Sequence, residues 1–131
     1  PHGAAIYQAC AAVPGARIIA DPGAGMAEVI AGADLAITAG GTTMWELSAM
    51  GVPFIAVIVA ENQGLSTLAM TALGFPCVTA ENIIGKLPEK LRTLIGDAAL
   101  RQRLAAAGQR LVDGEGASRV CAEISKLAVE A

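Results

Sequence analysis

The 131-residue sequence has a single histidine, His2, and three widely separated cysteines without CxxC spacing. A Ser-His-Asp hydrolase needs a histidine beside its nucleophile, and no serine here lies in a GxSxG context, so that class is disfavoured. Zinc needs three or four converging ligands, which one histidine and scattered cysteines do not supply. We therefore predict no catalytic triad, no metal and no cofactor. We interpret the thiols as reduced and His2 as an inert terminal residue.

Basic residues are also scarce over most of the chain. The formal net charge is -3, and only Arg17 of the nine lysines and arginines precedes residue 86. Nucleic-acid binding requires clustered cations, which the first two thirds lack. The longest apolar run, Val52 to Ala60, is too short to span a bilayer and contains Pro53. With no targeting signal visible, these absences predict a cytoplasmic protein without a nucleic-acid partner or a transmembrane segment.

The sequence does contain enough apolar residues, 54% of the total, to form one buried core. Short apolar segments alternate with amphipathic ones, which indicates a Rossmann-like α/β fold with a parallel sheet covered by helices on both faces. After Glu81 the periodicity predicts helices only, with a helix start at Asp97 and a break at Asp113–Gly116. Strands are predicted at Ala16–Ala20, Leu35–Ala39, Pro53–Val59 and Pro76–Thr79, and helices at Ala4–Ala12, Met26–Ala31, Thr43–Met50 and Leu65–Leu73.

The stretch from Thr38 to Pro53 is the most informative, because a predicted strand ends at Gly40-Gly41 and a helix follows directly. A glycine pair allows the backbone to approach a ligand closely, and a helix start offers amide donors to a phosphate. Thr43 and Glu46 are equally spaced for a capping box, with Thr43 as N-cap and Glu46 bonding back to its amide. The spacing alone leaves both interpretations open.

Two further turns contain candidate site residues. Ala60-Glu-Asn-Gln-Gly64 follows the next strand, so it is expected at the same carboxyl edge of the sheet as the glycine pair. Ordinary turn chemistry explains Asn62 and Gly64 equally well. Gly23-Ala-Gly25 opens a helix as a dinucleotide fingerprint does, but Glu28 replaces the third glycine, and no acidic residue ends the next strand. We interpret that segment mainly as a turn.

The run from Met26 to Pro53, with its Ala-Gly-Gly-Thr-Thr-x-x-Glu motif, and the Glu-Asn-Gln that follows resemble the C-terminal domain of GT-B-fold UDP-sugar enzymes. The likeness is greatest to the PseG family, which hydrolyses UDP-2,4-diacetamido-2,4,6-trideoxy-β-L-altropyranose in pseudaminic acid and surface polysaccharide biosynthesis. The MurG glycosyltransferases are similar but more distant. The segment from Asp97 to Gly116 also resembles the C-terminal helices of these enzymes.

This resemblance implies roles for individual residues. Backbone and hydroxyl donors of the Gly-Gly-Thr-Thr turn would bind the diphosphate, and Glu46 would accept hydrogen bonds from the ribose hydroxyls. Asn62 and Gln63 would face the sugar or the distal phosphate, while the turn at Pro22 and Gly23 would meet uracil through main-chain groups. No catalytic residue is expected in this chain. The predicted substrate-binding residues are Gly40, Gly41, Thr42, Thr43, Glu46, Asn62 and Gln63.

The resemblance also implies a two-domain enzyme whose N-terminal half supplies the catalytic group. We expect residues 1–131 to be a single nucleotide-sugar-binding domain, a fragment that lacks its first strand and the N-terminal catalytic domain. Its expected partners are a UDP-sugar and that missing domain. The parent is expected to be a UDP-sugar hydrolase of the PseG type. The alternatives are a MurG-like glycosyltransferase, a sugar-nucleotide epimerase and a two-subunit transferase.

Overall fold

The structure is a computed structural model that describes residues 3–129, so the prediction for His2 lies outside the described residues. A three-stranded parallel sheet of order β1-β2-β3 is flanked by helices, which confirms the predicted α/β fold with a helical C-terminal part. The strands are β1 (Ala36–Ala39), β2 (Phe54–Ile58) and β3 (Cys77–Thr79). The helices are α1 (Gly3–Ala11), α2 (Met26–Ala31), α3 (Thr43–Ala49), α4 (Gly64–Ala72), α5 (Ile83–Gly96), α6 (Ala98–Leu111) and α7 (Gly116–Val129).

The central strand β2 sets the arrangement of the sheet. Ala36 of β1 is in register with Phe54, and Val57 is in register with Val78 of β3. The first four of the five β2 residues are buried, as expected of a parallel strand covered on both faces. Because all three strands run in one direction, the turns after β1 and β2 lie at the same edge of the sheet.

The hydrophobic core forms where helices cover β2. The ring of Phe54 stacks on that of Phe75, with centroids 4.4 Å apart. Met44 and Leu47 bring α3 into the same cluster, and Leu104 brings in α6. The core therefore ties α3, the helix predicted to contain Glu46, to both the sheet and the C-terminal helices.

The predicted helix start at Asp97 and the predicted break at Asp113–Gly116 are both confirmed. Asp97 is the N-cap of α6, since its Oδ1 accepts a hydrogen bond from the Leu100 N–H at 2.7 Å. Between α6 and α7, Asp113 pairs with Arg119 at 2.8 Å in an exposed ion pair. No helix within residues 3–129 is long and apolar enough to cross a membrane.

One predicted strand, Ala16–Ala20, is wrong. The structure places no strand there, and the segment is exposed, with Ile19 53% accessible. An extended segment is stabilised by ladder hydrogen bonds and by burial of its apolar side chains, and in the described residues this segment has neither. Asp21, with φ of 50°, then turns the chain toward α2.

Candidate functional site

The glycine pair lies at the point where β1 ends. Gly40 is still part of the sheet, since its N–H donates to the Val57 carbonyl at 3.0 Å. Gly41 leaves the sheet in a tight turn, with its N–H donating to the Ala39 carbonyl at 2.8 Å. Helix α3 begins two residues later at Thr43. The predicted passage from a strand through two glycines into a helix is therefore confirmed.

The predicted capping box is not formed. The N-cap of α3 is Thr42, which already has helical backbone angles and makes no side-chain capping bond. The Trp45 N–H donates to the Thr42 carbonyl at 2.9 Å, so the chain enters α3 through a helical turn, and Thr43 is inside the helix. A residue with helical angles does not direct its side chain at the amides ahead as an N-cap does. The Glu46 side chain therefore makes no capping bond to Thr43. It is also exposed.

The two glycines differ in their surroundings. A Cβ on Gly40 would lie 2.8 Å from Thr67 Cγ2 and 3.1 Å from Gln63 Oε1, so glycine is required there by the packing of α4. A Cβ on Gly41 would meet nothing within 4 Å. The Gly41 backbone therefore faces open space, where a ligand has room to approach.

The second polar turn adjoins the first, as predicted for two turns at one edge of a parallel sheet. Glu61–Gln63 forms a single 3-10 turn that leads into α4. Gln63 Oε1 accepts a hydrogen bond from the Val59 N–H at 2.9 Å, which fixes the orientation of the side-chain amide beside Gly40. The amide Nε2 of Gln63 is then the group that remains for a ligand. Asn62 is on the same turn and is exposed.

Glu46 lines a cleft of about 430 Å³, whereas the residues of the two polar turns are not among its lining residues. One wall is the 3-10 turn Gly23–Gly25 with the start of α2, and the other is the C-terminal half of α3. Within residues 3–129, Glu46 is the only charged residue among those that line it. The other lining residues are Gly23, Ala24, Met26, Ala27, Ile30, Ala49 and Met50.

The chemistry of this cleft is that of one carboxylate above an apolar surface. A carboxylate only accepts hydrogen bonds at neutral pH, so it suits a ligand that presents hydroxyl groups. The alanine, methionine and isoleucine side chains suit a flat group with little polarity on its faces.

Comparison with known families agrees with this geometry. The family model described as "Glycosyltransferase family 28 C-terminal domain" matches residues 23–114, well over half of the chain. The chain belongs to this family. It is a nucleotide-sugar-binding domain of the glycosyltransferase type, and its fold is the Rossmann-like C-terminal half of a GT-B fold. No curated protein and no solved structure matches the chain.

The matched region of this family 28 C-terminal domain begins at Gly23, in the wall of the cleft, and includes every predicted substrate-binding residue. The structure brings Gly40 and Gln63 into contact and places Glu46 in the cleft. Their roles toward a ligand remain predictions.

Sequence reasoning missed part of this family 28 domain's cleft. Ile30, Ala49 and Met50 line it, yet their types and spacing are those of ordinary helix residues. No sequence signal distinguishes an apolar cleft wall from a core face. The same reason applies to Met26 and Ala27, although the family resemblance predicts that the turn just before them contacts uracil.

Proposed function

We propose that this domain binds the UDP moiety of a UDP-sugar donor and that Glu46 accepts hydrogen bonds from its ribose hydroxyls. The proposal rests on the position of Glu46. Glu46 lies one helical turn beyond the Gly40–Thr43 turn, and of the residues that the structure describes it is the only charged one lining the cleft against Gly23. A nucleoside in the cleft would then have its hydroxyls at the carboxylate and its phosphates toward the glycine turn.

The diphosphate is proposed to lie over Gly41. That glycine leaves open space above its backbone, and the exposed Thr42 and the half-buried Thr43 offer hydroxyl and amide donors beside it. Arg17 is the only basic residue before Lys86. The proposed contacts to the phosphates are therefore hydrogen bonds from uncharged donors to an anionic acceptor, which favour a defined geometry more than they add long-range attraction.

The sugar is proposed to lie near Gln63 and Asn62. Since Gln63 Oε1 is occupied by the Val59 N–H, the side chain would offer its Nε2 as a donor to a sugar or distal phosphate oxygen. Resemblance to UDP-sugar enzymes supports this order of subsites, with the base at Pro22 and Gly23 and the sugar farthest from it.

We propose that the parent enzyme is a UDP-sugar hydrolase of the PseG type, acting on an amino-sugar nucleotide in surface polysaccharide biosynthesis. An N-terminal domain would supply the catalytic group, and water would displace UDP from the sugar while this domain holds the nucleotide. We place the reaction in the cytoplasm, in keeping with the three cysteines, which form no disulfide.

A glycosyltransferase is the second candidate, and the family assignment favours it directly, since the matched family is one of glycosyltransferases. In that case the sugar passes to an acceptor hydroxyl instead of water, while this domain binds the donor in the same way. A MurG-like enzyme or a two-subunit transferase would both fit this arrangement.

Two measurements test the proposal. Titration calorimetry of the complete polypeptide with UDP and with ADP should show binding of UDP and weaker binding of ADP; absence of UDP binding would refute the donor-site assignment. Incubation with UDP-2,4-diacetamido-2,4,6-trideoxy-β-L-altropyranose without an acceptor separates the two candidates. UDP release in water supports the hydrolase, whereas release that requires an added sugar or lipid acceptor supports the transferase.

A further inference from the structure

Helix α6 packs against α3 on the face away from the cleft. Ser48, in α3, is 1% exposed and lies two residues beyond Glu46, a rotation of about 200° around the helix. Opposite Ser48 is Gly108 of α6. A Cβ on Gly108 would lie 3.0 Å from Ser48 Cα and 3.2 Å from the Ser48 carbonyl oxygen. The two helix backbones therefore touch at this point.

This contact bears on the position of Glu46 because packing, rather than a capping bond, positions α3. The helix has only seven residues and no side-chain bond at its N-cap. Its place is therefore set by packing, through Met44 and Leu47 on the core and through Ser48 on α6. A helix this short moves as a rigid unit, so a displacement at Ser48 reaches Glu46.

We propose that Gly108 is a positioning residue that seats α3 so that Glu46 reaches the ribose, an inference that rests on the proposed function. Any larger residue at 108 would push against the Ser48 backbone, which cannot rotate away as a side chain would. With alanine the neighbouring backbone must give by a few tenths of an ångström. The carboxylate then meets the ribose hydroxyls at a poorer distance and angle.

The test is the UDP affinity of Gly108→Ala, measured by calorimetry on the complete polypeptide. We expect it to be about fivefold weaker than that of the wild type, since a displacement of a few tenths of an ångström weakens a hydrogen bond to a charged acceptor without abolishing it. Gly85→Ala is the matched control. It makes the same glycine-to-alanine change inside α5, where a Cβ meets nothing within 4 Å, and its UDP affinity should stay within about twofold.

A double-mutant cycle with Glu46→Gln separates positioning from general destabilisation. If Gly108 acts through Glu46, Gly108→Ala should change UDP affinity by less than about twofold once Glu46 is already replaced. An equal loss in both backgrounds would overturn the proposal, as would an unchanged affinity of Gly108→Ala. A wild type that does not bind UDP would overturn the proposed function and this inference with it.

If circular dichroism shows that Gly108→Ala is unfolded, Ser48→Thr takes its place in the cycle. That variant adds one methyl group to the Ser48 side chain, whose Cβ would lie 3.2 Å from a Cβ on Gly108. The same non-additivity with Glu46→Gln is expected, and additive losses would again contradict the proposal.

Discussion

Glu46→Gln is the substitution that most directly tests how this domain binds a nucleotide. Glutamine has nearly the same shape as glutamate but loses the negative charge and one of the two acceptor oxygens. In the structure the Glu46 side chain is exposed, lines the cleft and makes no capping bond within α3. The substitution therefore removes a proposed ligand contact without removing a structural one.

The size of the effect follows from that location. A hydrogen bond to a charged group contributes about 1.5–3 kcal/mol, and exposure to solvent places Glu46 at the low end of this range. We expect UDP affinity to fall about tenfold. The effect on stability should be small, since a carboxylate in the first turn of a helix contributes at most about 1 kcal/mol through the helix dipole. The expected change in melting temperature is below about 4 °C.

Calorimetry with UDP and a thermal melt monitored by circular dichroism measure the two quantities. Glu28→Gln is the matched control, because Glu28 is an exposed glutamate in the first turn of the neighbouring short helix α2 and is not among the residues that line the cleft. It should leave UDP affinity unchanged. If Glu46→Gln also leaves UDP affinity within about twofold of the wild type, the ribose assignment is refuted.

Three further predictions concern turns and helix ends. Gly40→Ala should push the start of α4 away and lower the free energy of unfolding, measured in urea, by about 1–3 kcal/mol. Gly41→Ala should leave the free energy of unfolding nearly unchanged. Equal losses would contradict the inference that only Gly40 is packed against α4. Asp97→Ala should cost about 1 kcal/mol in the same assay through loss of the α6 cap, and a neutral result would refute that role. The hydrogen bond from the Arg119 side chain, with that from the Glu115 N–H, lowers the pKa of Asp113 from 3.8 to about 2. Its stabilising contribution should hold above pH 3.8 and be lost as the pH falls through about 2, and an NMR titration midpoint near 3.8 would contradict the pairing.

The sequence predicts the three strands of the sheet, but it also predicts a further strand at Ala16–Ala20 that does not form. Val52 to Ala60 is continuously apolar, which favours a strand buried on both faces, and its central part forms β2. Ala16–Ala20 is also mostly apolar, apart from Arg17, but forms no strand. Its fate depends on whether another strand offers hydrogen bonds beside it, and local composition does not reveal this.

The same limit of sequence-based prediction applies to individual residues of the candidate site. The glycine pair and the Glu-Asn-Gln turn can be predicted from the sequence because glycine and amide residues at strand ends favour a small set of turn conformations. Residue spacing does not decide whether Thr43 caps the helix. A residue with helical backbone angles and a true N-cap have the same sequence signature. The backbone angles of Thr42 decide it, and they leave Glu46 available to the cleft.

The sequence by itself therefore determines that this chain is an α/β domain in which the strand predicted at Leu35–Ala39 ends in a glycine turn, followed by a helix with a glutamate one turn inside. Periodicity and turn chemistry are local properties, and they are sufficient for that much. Only the tertiary structure decides that Gly40 is needed by α4 while Gly41 stays open, and that Glu46 faces the Gly23 turn across a cleft. These relations join residues far apart in sequence, and they arise from packing of whole elements rather than from any local preference.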